Sequence, residues 1–424
     1  MAAMKQRRTA PKGRPQPGLS AALQGALDAA LARHARGEIE PALAVYRDVL
    51  RVSPDNIDAL LNLGAGLTSQ GRPSEALPEL RRAQKVGRRL PRAQNDIGVC
   101  FVELGRYDEA IEALTSAVTL APEYVDAWKN LGYALNEAGR EEQAAHALQR
   151  CLLLEPLLAL AWFELSRSVF DAANPRPAVE ALSRAVASDP AYRWARYALG
   201  VALDLAGDTR AAKEMHAALA KEDATFADAT DGWRYIREHK SPATRLVMTT
   251  RRGLGIAMDA ASLDGSILEF GVRYGVTTRW IAEGSGGRTV HGFDSFQGLP
   301  EAWLVHPAGV YSTHGQAPEV PPNVTLHVGL FEETLPPFAR ELTGPIRLLH
   351  VDCDLYSATK AVLDALGDRV APGTIVVFDE YVVNRGWRDD EFKAFQEAVA
   401  ARGWRYEYLA FGPVTGQAVI KIVA

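Results

Sequence analysis

The stretch Ile346-Arg347-Leu348-Leu349-His350-Val351-Asp352-Cys353-Asp354-Leu355-Tyr356 decides the fold. A mainly apolar run ends abruptly in two acids, and the arrangement recurs where Thr374 to Phe378 leads into Asp379-Glu380-Tyr381. Runs of this length and composition read as buried parallel strands. Open α/β sheets hold their ligands at the carboxyl ends of such strands. Four carboxylates at two strand ends are enough to hold a hard divalent cation and leave one acid free as a proton acceptor. A single acid there reads as a helix cap, and Asp354, just ahead of Ser357, fits that role. Two acid pairs at successive strand ends go beyond capping.

Working outward, strand and helix patterns alternate from Ser266 onward. Strand candidates are 267–270, 289–293, 324–328, 346–351 and 374–378, with helices beginning near Thr277, Thr334, Ser357 and Asp389. Two last strands, 406–411 and 417–423, are joined by Gly412-Pro413-Val414-Thr415-Gly416, short enough for a hairpin. Five βα units and a closing antiparallel pair describe a doubly wound sheet with an antiparallel last strand. The first strand ends Glu269-Phe270-Gly271-Val272-Arg273-Tyr274-Gly275, a glycine turn suited to close passage of a cofactor. It is not G-x-G-x-x-G, which counts against a nicotinamide dinucleotide. Asp294, ending the second strand before Ser295, is well placed for a ribose diol.

The front half repeats. Gly64, Gly98, Gly132 and Gly200 keep a 34-residue register with Ser166 at the missing point, and Ala42, Ala76, Ala110, Ala144, Ala178 and Ala212 keep the same step. Pro54, Pro122, Pro156 and Pro190 fall on it too. That period and residue pattern are the signature of tetratricopeptide repeats. Small residues let paired helices approach closely, and the prolines end the second helix of each unit. Six units span 23–226, an α-solenoid whose concave face suits a protein partner or self-association. Residues 227–262 break the period and read as a helical linker or cover, and 263–424 as the α/β domain.

Bulk properties narrow the classes. A chain of 424 residues exceeds one core. A net charge of −5 gives no reason to expect nucleic acid or an anionic membrane, and no apolar run is long enough to span a bilayer. Cys100, Cys151 and Cys353 are scattered and odd in number, which supports neither a disulfide framework nor a thiolate zinc site and fits a cytoplasmic location. Residues 1–22 are basic and proline-rich without an apolar core, and read as a disordered tail rather than a secretory signal.

Four motifs in order carry a specific resemblance. Glu269-x-Gly271-x-x-x-Gly275, Asp294-Ser295-Phe296-x-Gly298-Leu299-Pro300, Val351-Asp352-x-Asp354-Leu355-Tyr356 and Phe378-Asp379-Glu380-Tyr381 look like the macrocin O-methyltransferase family. The resemblance covers about 266 to the C-terminus. It implies a class I methyltransferase fold using S-adenosylmethionine, Mg²⁺-dependent transfer to oxygen, and a sugar or glycan hydroxyl as acceptor. Carried over position by position, Asp352, Asp379 and Glu380 match the metal-binding acids and Asp354 the general base. Glu269, Gly271, Gly275, Asp294, Ser295 and Gly329 match cofactor-binding positions. Two features depart from the family: the second acid pair is Asp379-Glu380 where some members have two aspartates, and small-molecule enzymes of the family lack a repeat array.

Other residues read as structural. His291 and His350 sit inside strand runs and read as core histidines, and Cys353 as a small strand residue. Trp387 and Arg388 fit either a pocket wall or a loop anchor, and His314 lies in a loop facing either the acceptor or solvent. Competing readings are a repeat scaffold with an inactive methyltransferase-like domain, and methyl transfer to a catechol or protein acceptor.

Overall fold

The computed structural model describes residues 20–424. The basic tail assigned to 1–22 lies, through residue 19, outside the described residues. Contacts divide the chain into two compact units, one ending at Pro156 and one running from Leu157 to Ala424.

The first unit is four antiparallel helix pairs. They are α1 (Ala21–Ala35) with α2 (Ile39–Val52), α3 (Ile57–Ser69) with α4 (Pro73–Val86), α5 (Pro91–Glu103) with α6 (Tyr107–Leu120), and α7 (Val125–Glu137) with α8 (Glu141–Leu154). Pairing rests on glycines in the first helix. A Cβ at Gly132 would lie 2.4 Å from Leu148 Cγ, and one at Gly98 would lie 2.6 Å from Leu114 Cγ. Only hydrogen at those positions lets the leucine seat, and each buried leucine contributes about 2 kcal/mol. The connecting turns need a left-handed residue, as at Gly139 with φ +72°.

The second unit continues with α9 (Ala159–Ser168), α10 (Arg176–Ser188), α11 (Arg193–Leu205), α12 (Thr209–Glu222) and α13 (Ala224–His239). At the sixth pair the partner of Gly200 is His216 in place of leucine, its Nε2 3.1 Å from the Tyr197 carbonyl. Burial lowers the pKa of that imidazole. A two-residue strand β1 (Arg245–Leu246), which the sequence did not suggest, and α14 (Thr250–Ala260) follow.

The α/β part comprises β2 (Ser266–Phe270), α15 (Val276–Gly284), β3 (Val290–Asp294), β4 (Val324–Val328), α16 (Phe331–Glu341), β5 (Ile346–Val351), α17 (Tyr356–Leu366), β6 (Ile375–Phe378), α18 (Glu391–Arg402), β7 (Tyr406–Phe411) and β8 (Ala418–Ile422). Sheet order is β1-β7-β8-β6-β5-β2-β3-β4. Only β8 runs against its neighbours β6 and β7, so the expected antiparallel last strand is present. The expectation of five βα units is corrected at the second. No helix follows β3, because Gly298, Pro300, Pro307, Gly309, Gly315, Pro318, Pro321 and Pro322 interrupt 295–323 and leave a long loop. Helix α16 also starts three residues earlier than Thr334, with Glu332 and Glu333 in its first turn to favour the helix N-terminus.

One apolar core joins the last helices of the array to the sheet. Tyr197, Leu219, Phe226 and Trp233 belong to the same buried cluster as Phe270, Val351 and Phe378. Within it Tyr408 Oη lies 2.6 Å from Tyr235 Oη and 3.0 Å from Tyr381 Oη, so buried hydroxyls tie α13 to β7 and to the loop after β6. The same loop is held from α13 by Asp228, which accepts from Gly386 N at 2.9 Å, and by Asp231, which accepts from Arg388 Nε at 2.7 Å.

Candidate functional site

The chain leaves β2 outward to β3 and β4, then returns to the other side of β2 as β5. Where β2 and β5 lie side by side the strand order reverses, and the carboxyl ends at such a point are where open α/β sheets hold ligands. Two backbone bonds extend the ladder past each strand. Asp352 N donates to the Phe270 carbonyl at 2.8 Å, and Asp379 N to the Val351 carbonyl at 3.1 Å. Gly271, with φ +94°, passes so close that a Cβ would lie 1.7 Å from the Asp352 carbonyl oxygen. The glycine is therefore a requirement of the crossing, and the acids on β5 and β6 stand shoulder to shoulder beside it.

Carboxylate oxygens of Asp352, Asp354 and Glu380 lie within 4.8 Å of one another, the grouping with metal-ligand geometry among the described residues. Asp354 is buried and adopts a left-handed backbone, φ 62°, in a tight turn closed by Leu355 N donating to the Cys353 carbonyl at 2.6 Å. The Glu380 backbone N–H donates to Glu391 Oε2 at 3.1 Å. Oε2 of Glu380 and Oε1 of Glu391 are buried without a hydrogen-bond partner. Asp379 stands next to the three, and its Oδ1 accepts from Gln417 Nε2 at 3.1 Å. Sequence reasoning grouped Asp379 with Asp352 and Glu380 and set Asp354 apart. The oxygens that meet are those of Asp352, Asp354 and Glu380.

Burial, then the neighbouring carboxylates, raises the pKa of Asp352, Asp354, Glu380 and Glu391. Asp352, Glu380 and Glu391 are held well above the usual carboxylate range, and Asp354 is pushed up to about 7; Asp379 is the chief repelling charge on Asp352 and Asp354, and Asp354 on Glu380 and Glu391. So many acids cannot all ionise side by side unless a cation joins them. Three hard oxygen donors with one buried oxygen still unbonded fit Mg²⁺ or a cation like it.

The residues matched to cofactor binding lie at the carboxyl ends of β2, β3 and β4. Glu269 on β2 is fully buried; its Oε1 accepts from Thr277 Oγ1 at 2.5 Å and lies 3.1 Å from His350 Nδ1, while Oε2 has no partner. That orphaned acceptor suits an ammonium group. Gly275, φ +70°, opens α15. Asp294 Oδ2 accepts from Val272 N at 2.9 Å and Arg273 N at 2.7 Å, and Oδ1 from Phe296 N at 2.7 Å. Most of its acceptor capacity thus holds the two loops together, with about one lone-pair site left for a diol. Ser295 Oγ accepts from Gln297 N at 3.1 Å, and Gly329 N donates to the Asp294 carbonyl at 3.1 Å.

Sequence reasoning missed Glu391, Arg273, Tyr311 and Gln417. Glu391 reads as an ordinary first-turn acid of a helix, and nothing local to it signals burial. His350 is a buried core histidine as expected, whereas His291 pairs with His327, Nδ1 to Nε2 3.1 Å apart. Trp387 is buried under the Arg388 guanidinium and anchors its loop. His314 is exposed, and Cys353 is a buried thiol beside Thr359. Asn323 Nδ2 donates to the Ala282 and Arg288 carbonyls, closing the turn before β3.

Comparison with known proteins agrees with this architecture. Residues 268–381 match the family described as a methyltransferase domain, and 27–94, 68–125 and 95–153 match a tetratricopeptide repeat family. The chain therefore carries a methyltransferase domain, which implies S-adenosylmethionine as donor, and tetratricopeptide repeats. No curated protein matches the chain in sequence. Among solved structures, pilF of Pseudomonas aeruginosa is 23% identical, covering 47% of this chain and 91% of its own at a TM-score of 0.43. The tetratricopeptide protein TTC0263 of Thermus thermophilus is 19% identical, covering 43% and 98% at 0.37. CalS11, a calicheamicin methyltransferase, is 25% identical, covering 40% and 77% at 0.34. Among the described residues no helix is long and apolar enough to cross a membrane.

Proposed function

We propose that residues 263–424 catalyse S-adenosylmethionine-dependent, Mg²⁺-dependent methyl transfer to a hydroxyl of a sugar or glycan-type acceptor. One observation carries this reading: Asp352, Asp354 and Glu380 offer oxygens within 4.8 Å of one another beside the glycine crossing at Gly271. A hard cation favours transfer to oxygen, because it stabilises the alkoxide developing on a hydroxyl that is a poor nucleophile at neutral pH.

Asp352 and Glu380 hold the cation, with Asp379 completing the set, and Asp354 accepts the hydroxyl proton. When bound, the cation stabilises negative charge developing on the acceptor oxygen. Gln417 orients Asp379, as hydrogen bonds to ligating carboxylates commonly do. Glu269 Oε2 takes the donor's ammonium, and Gly271 and Gly275 let its chain pass close to the sheet. Asp294, Ser295 and Gly329 border the nucleoside. Asp354 is close enough to both ligating acids to reach a hydroxyl held between them. The six repeats, 23–226, bind the acceptor or a partner protein, and 227–262 buttress the catalytic loops. Three buried free thiols fit a cytoplasmic setting.

Incubation of the purified full chain with methyl-labelled donor and a panel of glycans, catechols and proteins tests the reading. Label should enter glycan, stop in excess chelator and return with Mg²⁺. Full transfer in chelator, or label entering only protein or catechol, refutes the metal or acceptor assignment respectively.

A further inference from the structure

Among the described residues, one cation at this acid-rich site has no carboxylate partner. The Arg273 guanidinium lies between two rings, 4.9 Å from the centroid of Tyr274 and 5.0 Å from that of Tyr311. It is near enough to Asp354 to lower that carboxyl's pKa, and near enough to Tyr311 to act on its phenol, yet it forms no ion pair. Its side chain makes no hydrogen bond among the described residues, and Nε is buried with no acceptor. A guanidinium whose faces are covered by aromatic rings keeps its edge donors free and loses little further freedom on binding.

The local backbone supports the arrangement. Arg273 and Tyr311 both adopt left-handed conformations, φ 49° and φ 67°, which cost non-glycine residues on the order of 1 kcal/mol each. Asp294 Oδ2 holds the first by accepting from Arg273 N at 2.7 Å. Two separate segments, the loop after β2 and the loop after β3, thus accept strain that brings ring and guanidinium together. Among the described residues no carboxylate pairs with Arg273, although Glu380 Oε2 and Glu391 Oε1 are themselves without a partner.

We infer that Arg273, clamped by Tyr274 and Tyr311, is a receptor for a ligand carboxylate at the rim of the site. The planar edge of a guanidinium matches a carboxylate through two parallel hydrogen bonds. Two sources supply that chemistry: the amino-acid end of the methyl donor, or an acidic sugar acceptor of the uronic type. The inference rests on the methyl-transfer reading above.

Calorimetry on the full chain separates the cases, with S-adenosylhomocysteine, its decarboxylated counterpart, glucuronate and glucose as probes. If the donor is the source, Arg273→Gln weakens S-adenosylhomocysteine about ten- to a hundredfold, the scale of lost charge-assisted bonds, and leaves the decarboxylated analogue within twofold. If the acceptor is the source, S-adenosylhomocysteine binds unchanged, while glucuronate binding in its presence falls to the level of glucose. Arg273→Lys, which keeps the charge and loses the fork, recovers only part of either effect. Equal weakening of carboxylated and decarboxylated ligands means a structural role and overturns the inference. So does unchanged binding of every probe. Failure of the wild-type chain to bind S-adenosylhomocysteine sinks the methyl-transfer reading itself, a different result from either.

Discussion

Replacing Asp354 by asparagine should make the cation-free protein more stable at pH 8, although it removes a group central to the site. Burial and Asp379 push the folded-state carboxyl up to about 7 from 3.8. A carboxyl raised in the folded state contributes stability that is fully present below its unfolded value, and that stability is lost as pH rises through the folded value. Each pKa unit corresponds to about 1.4 kcal/mol, so Asp354 alone disfavours the fold at pH 8 by at most about 4 kcal/mol. Water entering the site screens the charges and makes that figure a ceiling. Urea unfolding in excess chelator, followed by tryptophan fluorescence, reads the effect. Asp354→Asn should match wild type within about 1 kcal/mol at pH 4 and exceed it by about 2–4 kcal/mol at pH 8. Comparing the two proteins at each pH cancels groups that titrate independently of Asp354, His216 among them. The reasoning fails if the variant is no more stable than wild type at pH 8, or if its advantage is as large at pH 4.

Other consequences follow from named contacts. Gly271→Ala forces a Cβ to within 1.7 Å of the Asp352 carbonyl at φ +94°, so donor affinity measured by calorimetry should fall at least tenfold and stability by about 2–4 kcal/mol. Tyr408→Phe leaves the Tyr235 and Tyr381 hydroxyls without their shared partner and should cost about 1–3 kcal/mol in chemical denaturation. Gly132→Ala collides with Leu148 and should lower the melting transition of the helix pairs, while donor binding measured on the same sample is unchanged. For His216, whose folded pKa is depressed by burial, stability is complete above pH about 6.5 and declines as pH falls below it; His216→Leu should flatten that decline in urea titrations.

Much of this architecture is legible in the chain because its signals are periodic or abrupt. The 34-residue step survives in alanines that must be small wherever paired helices touch. The acids of β5 and β6 are legible because each interrupts an apolar run at one position. Glu391 is not legible, because its burial comes from β6 and its loop folding over the start of α18, a tertiary event that leaves no local mark. Arg273 is hidden for the same reason, since Tyr311 reaches it from a loop distant in sequence. Asp294 shows the opposite limit: its position at a strand end was readable, but its use as a brace for backbone amides was not. Proline and glycine density after β3 argued against a helix there, and the regular alternation on either side masked it.

The shared core described for the second unit bears on how this catalytic body could ever be moved. Severing the chain at residue 262 strips Phe226, Trp233 and Tyr235 from beneath the sheet and leaves an apolar wound flanked by unmatched hydroxyls. Such a fragment is expected to aggregate. A workable transplant would carry everything from Leu157 onward, which makes the final helices of the array the keel of the enzyme.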